Sequence, residues 1–151
     1  TVPDFLKSGQ WQPRPSIATL ASAMDVGSPS NIERLRALFP EISQLREQIS
    51  ADWVDDAAIK ARIQGDFKTL GRIWCPHTAT AAEVYRRLPP AERRRPWVLV
   101  ATAHPAKFND VVEPLIGRSI GIPPSLARLL DLPSQCLDVP PTMTALADAL
   151  A

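Results

Sequence analysis

Apolar residues recur along this chain in short stripes, each closed by a glycine or a proline. From Glu41 to Ile49 they fall at Ile42, Leu45 and Ile49, one face of an amphipathic helix. Starting at Asp55 or Asp56 they fall at Ile59, Ile63, Phe67 and Leu70, a longer helix that Gly71 ends. These two stripes predict a pair of helices packed on each other. Upstream, Asp4 to Lys7 predicts a short helix stopped by Ser8-Gly9, and Trp11 opens a loop. Ile17 to Val26 is apolar and small, which suits a strand or an extended segment equally. Ser30, with Glu33 three residues later, predicts the N-cap of a helix through Ile32, Leu35 and Leu38 that Pro40 closes. Thr78 predicts the cap of another, running to Leu88 with Ala82, Tyr85 and Leu88 on one face.

Val98 to Val100 breaks this rhythm. The run is β-branched-rich and too short for a helix, so it predicts a buried strand entering Ala101 and Thr102. His104-Pro105 ends it, and Pro105 suits the first turn of a helix that carries Lys107 and Phe108 and continues through Val112 and Leu115 to Gly117. A strand that ends in small and hydroxyl residues and passes at once into a helix is how open α/β sheets present ligand-contacting groups at their carboxyl edge. Thr102 is therefore the first candidate site residue, beside the plainer role of a helix cap. Further helices are predicted from Pro123 or Pro124 and from Thr142. The total is roughly five to seven helices and two or three short strands, an α/β pattern with too few strands to complete an open sheet alone. The opening Val2-Pro3-Asp4-Phe5-Leu6 reads like a helix entered from an earlier element, so the pattern predicts a piece of something larger.

Composition narrows the partners. Among 151 residues with a net charge of +1, 45% are hydrophobic, which predicts a real core and gives no electrostatic pull toward nucleic acid. No apolar run is long enough for a membrane span, and two cysteines in the whole chain fit a reduced, cytoplasmic setting. Arg93 to Arg95 beside prolines reads as a solvated turn. Cys75, His77, His104 and Cys136 lack the paired short-range spacing of a zinc site, so no metal is expected. The six glycines never cluster into a phosphate-cradling loop.

Four pieces, TVPDFLKSGQW, SIATLASAMDVGSPSNIERL, CPHTATAAEVY and VLVATAHPAKF, together resemble the carboxyl-terminal part of the threonine synthases, pyridoxal-phosphate enzymes of fold type II, and occur in that family's order. What the resemblance implies is that residues 1–151 are a helix-rich carboxyl-terminal part of such an enzyme, with a few short parallel strands. It implies a reaction in which O-phospho-L-homoserine and water give L-threonine and phosphate, the cofactor serving as electron sink. It further implies that the lysine holding pyridoxal phosphate and the loop on its phosphate lie upstream. None of Lys7, Lys60, Lys68 and Lys107 then stands at the Schiff-base position, no catalytic residue is expected here, and the amino-terminal part of the enzyme is the expected partner.

Carried over residue by residue, the resemblance makes Thr102 the hydrogen-bonding partner of the cofactor's pyridine nitrogen. Asp25, Ser30, Asn31, His104 and Lys107 are candidates to line the same cleft, with capping and turn formation as the plainer reading for the first three. His104 also suits orienting its own turn through a ring nitrogen, and His77 and Thr78 fall in a PHTA element expected to be structural. The competing expectation is a stand-alone helical binding module without catalytic activity.

Overall fold

The computed structural model describes residues 1–130, 132–133 and 136–151, in two units, Thr1–Ile120 and Gly121–Ala151. In the larger unit the central element is α4 (Asp56–Leu70). Asp55 caps it by accepting the Ala58 N–H at 2.8 Å, and Gly71 closes it in the left-handed conformation at φ 64°, which glycine adopts without Cβ strain. Ile59 and Ile63 of α4 are fully buried against Ala79 of α5 (Pro76–Arg87) and against Val112 and Ile116 of α7 (Asn109–Ile116). A second cluster joins Phe5 of α1 (Val2–Ser8), Ile32 of α2 (Ile32–Leu38) and Leu45 of α3 (Ile42–Gln48), with Trp11 edge-on to Phe5 at 5.6 Å.

The predicted pairing of the helices at Glu41 to Ile49 and Asp56 to Leu70 is corrected by this division. Leu45 buries in the second cluster and Ile59 and Ile63 in the first. The α3 stripe is short, only seven residues, and α1 is enough to cover it.

Two caps also move. Asn31, not Ser30, holds the N-cap position of α2, without a side-chain capping bond; Ser30 lends only its carbonyl, to the Glu33 N–H at 3.3 Å. α5 starts at Pro76, because proline at the first helical position draws the start upstream. Cys75 becomes its cap, its Sγ accepting the Thr78 N–H at 3.4 Å, and Thr78 lies inside the first turn with its hydroxyl 3.2 Å from that sulfur.

No β-ladder forms among the described residues. Ile17 to Val26 forms no strand and contains a 3₁₀ turn at Ser22–Met24. Val98 to Val100 forms neither helix nor ladder and is not buried: Val98 is 86% and Val100 68% exposed, and residues 98–103 make no backbone hydrogen bond to another described residue. The expected buried strand is corrected to an uncovered one, since a strand is buried only when neighbouring strands flank it. Trp97 anchors the segment through its indole N–H to the Glu92 carbonyl in α6 (Pro90–Arg93) and an edge contact with Tyr85. Arg93 to Arg95 are exposed, as a solvated turn requires.

The smaller unit carries α8 (Pro124–Leu130) and α9 (Met143–Leu150), the latter capped by Thr142 through the Ala145 N–H at 3.2 Å. Among the described residues no helix is long and apolar enough to cross a membrane.

Candidate functional site

The frame beneath the candidate residues is an ion-pair network centred on α5. Glu83 on α5 is 3% exposed and accepts from three guanidinium groups: Arg86 at 2.7 and 2.9 Å, Arg87 at 3.1 Å and Arg62 of α4 at 3.1 Å. The Arg86 hydrogen bonds, reinforced by those from Arg87, hold its carboxyl down at about 2, against a burial that works the other way. Arg62 also reaches Asp66 at 2.6 Å, whose second oxygen accepts the Trp74 indole N–H at 2.8 Å. Arg87 extends the chain of contacts to Asp52 at 2.9 Å and the Trp53 carbonyl at 2.8 Å, and its hydrogen bond lowers the Asp52 pKa. Together these contacts fix α5, and with it His77 and Thr78, on α4.

Asp25 is the clasp of its own loop. Its carboxylate accepts the Thr19 N–H at 2.6 Å and the Thr19 hydroxyl at 2.7 Å, and Thr19 in turn receives the Ala21 N–H at 3.1 Å. Asp56 takes the Leu20 N–H at 2.9 Å, tying this loop to the start of α4. With both oxygens engaged, Asp25 shapes a hollow of about 580 Å³ that Asn31, Ala23, Met24 and Thr80 also line. Asn31 and Ser30 are exposed, and Ser30 is outside that hollow.

Gly27 makes the clasp possible. Its N–H donates to the Ser16 hydroxyl at 3.1 Å and its carbonyl accepts the Arg14 N–H at 3.3 Å, so close that an added Cβ would lie 1.8 Å from the Arg14 carbonyl oxygen. Backbone against backbone has no side-chain rotamer to yield. Gly27→Ala is expected to cost about 1–3 kcal/mol of stability, read by denaturant unfolding; an unshifted midpoint would contradict this close approach.

Around the second candidate segment, Ala101, Ala103, His104 and Pro105 face Cys75 and Thr78 across a hollow of about 310 Å³. His104 is exposed and caps the 3₁₀ turn Pro105–Phe108, its Nδ1 accepting the Ala106 N–H at 3.2 Å. That is the turn-orienting role its position suggested. Lys107 is exposed on the same turn. Thr102 is exposed at the end of the uncovered segment, its hydroxyl without a partner among the described residues. The structure thus groups Asp25 with Asn31, and His104 with the PHTA element, while Thr102 and Lys107 line neither hollow.

The side chain that spans these two regions is His77. It is buried, its Nε2 accepts the Ala23 N–H at 3.1 Å, and its ring lies 4.9 Å from that of Phe108. Sequence assigned it a structural part but gave no signal of what it joins, because both contacts are long-range. The arginines around Glu83 did carry a sequence signal, the three- and four-residue spacings of Glu83 to Arg86 and Arg87 and of Arg62 to Asp66.

Comparison with known proteins agrees with this arrangement. The family model "Threonine synthase, C-terminal" matches residues 78–150, which includes the tail that the four sequence pieces do not reach. Threonine synthase of Escherichia coli K12 is 39% identical over 148 residues, covering 97% of this chain and 33% of that protein. The crystal structure of threonine synthase from Escherichia coli superposes with a TM-score of 0.79 at 36% identity, over 99% of this chain and 34% of that one. The structure of pyridoxal-phosphate-bound threonine synthase from Brucella melitensis gives 0.63 at 26% identity, over 85% of this chain and 33% of that one. The chain spans about a third of the length of the relatives it matches. By sequence and by fold, the chain is similar to the carboxyl-terminal part of threonine synthases.

Proposed function

We propose that residues 1–151 are the carboxyl-terminal part of a pyridoxal-phosphate-dependent threonine synthase, which converts O-phospho-L-homoserine and water to L-threonine and phosphate. The observation that carries this reading is the uncovered apolar segment from Trp97 to Val100 ending on the free Thr102 hydroxyl, in a chain whose likeness to threonine synthase covers nearly all its length. A non-helical segment with open N–H and C=O groups and exposed valines calls for neighbouring strands. The amino-terminal part of the same enzyme supplies them, turning this helix-rich region into one side of an α/β cofactor domain. Free thiols at Cys75 and Cys136 agree with a cytoplasmic setting.

The residues present fit one edge of the cofactor. A hydroxyl flanked by Ala101 and Ala103 suits the ring nitrogen, which needs a donor and close approach. Neither a glycine-rich loop nor a lysine lines the hollow beside it, so other parts of the enzyme would hold the cofactor's phosphate and supply its lysine. Bound pyridoxal phosphate supplies the electron sink for proton loss from the substrate. Thr102 would donate its Oγ–H to the ring nitrogen, which favours an unprotonated ring and so a gentler sink than the protonated ring a carboxylate would favour. His104 holds the turn that follows, and Asp25 and Asn31 shape the neighbouring wall of the cleft.

Borohydride reduction of the full-length protein, followed by denaturing intact-mass analysis and peptide mapping, tests the reading. The expected result is one covalent cofactor adduct on a lysine outside residues 1–151, with release of phosphate from phosphohomoserine before reduction. No adduct and no turnover would leave a helical binding module as the better description. An adduct on Lys107 would overturn the placement of the Schiff-base lysine in another part of the enzyme.

A further inference from the structure

His77 is the one buried imidazole in the larger unit, and the chemistry above does not use it. Its Nε2 accepts the Ala23 N–H, which fixes the neutral tautomer with the proton on Nδ1. That Nδ1 is enclosed and has no partner among the described residues. A ring kept only to fill space carries no such orphan, since an apolar side chain fills it without leaving a buried polar atom unpaired. What the imidazole adds over an apolar residue is the Nε2 bond to a turn two residues from Asp25, made while the ring face packs on Phe108. Phe108 ends the 3₁₀ turn that His104 caps, and Ala103 alone separates that cap from Thr102.

We propose that His77 is a positioning residue of the threonine synthase site, its ring setting the separation between the Ala23–Asp25 turn and the Pro105–Phe108 turn that follows Thr102. This rests on the function proposed above. Substrate would be held between these two segments, so a displaced Ala23 turn misaligns bound substrate against the cofactor edge without removing any group that touches either. The consequence is a loss in kcat larger than any change in KM.

The test uses the full-length enzyme with His77→Gln, whose amide oxygen reaches the Nε2 position, His77→Asn, whose amide reaches only the Nδ1 position, and His77→Leu. Measurements are kcat and KM on phosphohomoserine, the absorption spectrum of the bound cofactor, and hydrogen exchange at the Ala23 amide. His77→Gln is expected to keep kcat within about threefold and slow exchange at Ala23, whereas Asn and Leu lower kcat by about 30-fold with KM little changed. In the latter two, cofactor stays bound and Ala23 exchanges fast. Wild-type kcat in His77→Leu, or equal losses in Gln and Leu, would overturn the proposal; if Leu fails to fold, the contrast of Gln with Asn decides it in the same way. An inactive wild-type enzyme would sink the functional reading itself, a result distinct from an active wild type with the wrong variant pattern.

Discussion

Replacing Glu83 with alanine is expected to lower the unfolding free energy by about 3–5 kcal/mol, the usual cost of removing one partner from a buried ion pair. The carboxylate is almost wholly enclosed and receives hydrogen bonds from Arg62, Arg86 and Arg87. Its loss leaves Arg62, a partly buried cation, with Asp66 as its remaining partner. Glu83→Gln keeps the shape and removes the charge, which separates electrostatics from packing. The acid dependence gives an independent check. Hydrogen bonding from Arg86 lowers the folded-state pKa from 4.5 to about 2, so this contribution is complete above about pH 4.5 and fades as the pH falls toward 2. Over that window the wild type should lose on the order of 3 kcal/mol that the Gln variant never had. Parallel stability curves for the two proteins between pH 5 and 2 would show that Glu83 is not held by its arginines.

The second large effect falls on chemistry. In the full-length enzyme, Thr102→Val should retain cofactor and lower turnover on the order of 100-fold. Valine matches threonine in shape but offers the ring nitrogen no donor. Thr102→Ser, which restores the hydroxyl, should recover most of the loss. Because Thr102 is exposed and bonds to no other described residue, neither change should move the stability of this region by more than about 0.5 kcal/mol. Unchanged turnover in the valine variant would remove Thr102 from the site, and equal losses in Val and Ser would show that the hydroxyl alone does not carry the effect.

Both effects depend on how this chain meets its surroundings. Glu83 is satisfied within the chain, so its energetics are local and stability reads them directly. Thr102 is not: its segment is uncovered in this chain, so under the proposed function its contribution is to be read in the full-length protein. His77 lies between these cases, with one nitrogen satisfied by Ala23 and the other enclosed without a partner.

The sequence by itself determined the helices, because their signals are local: the Ile59, Ile63 and Phe67 stripe, the Asp55 cap, and the stops at Gly71 and Gly117, both left-handed in the structure. It pointed to the family through four motifs that occur in the family's order, and it marked Thr102 at the end of a predicted strand and Asp25 and His104 at turns. It erred at the caps of α2 and α5, where neighbouring residues compete for one N-terminus and the geometry of Pro76 or Asn31 decides. What only the tertiary structure decided was which stripe buries against which, since α3 and α4 look alike in sequence yet pack into different clusters. It also decided that Glu83 gathers three arginines and that His77 bridges Ala23 and Phe108 across more than fifty and thirty residues of chain, respectively. Periodicity reports only that a face is apolar; the identity of its partner is set by chain reversals that bring distant residues together, and no local pattern encodes those.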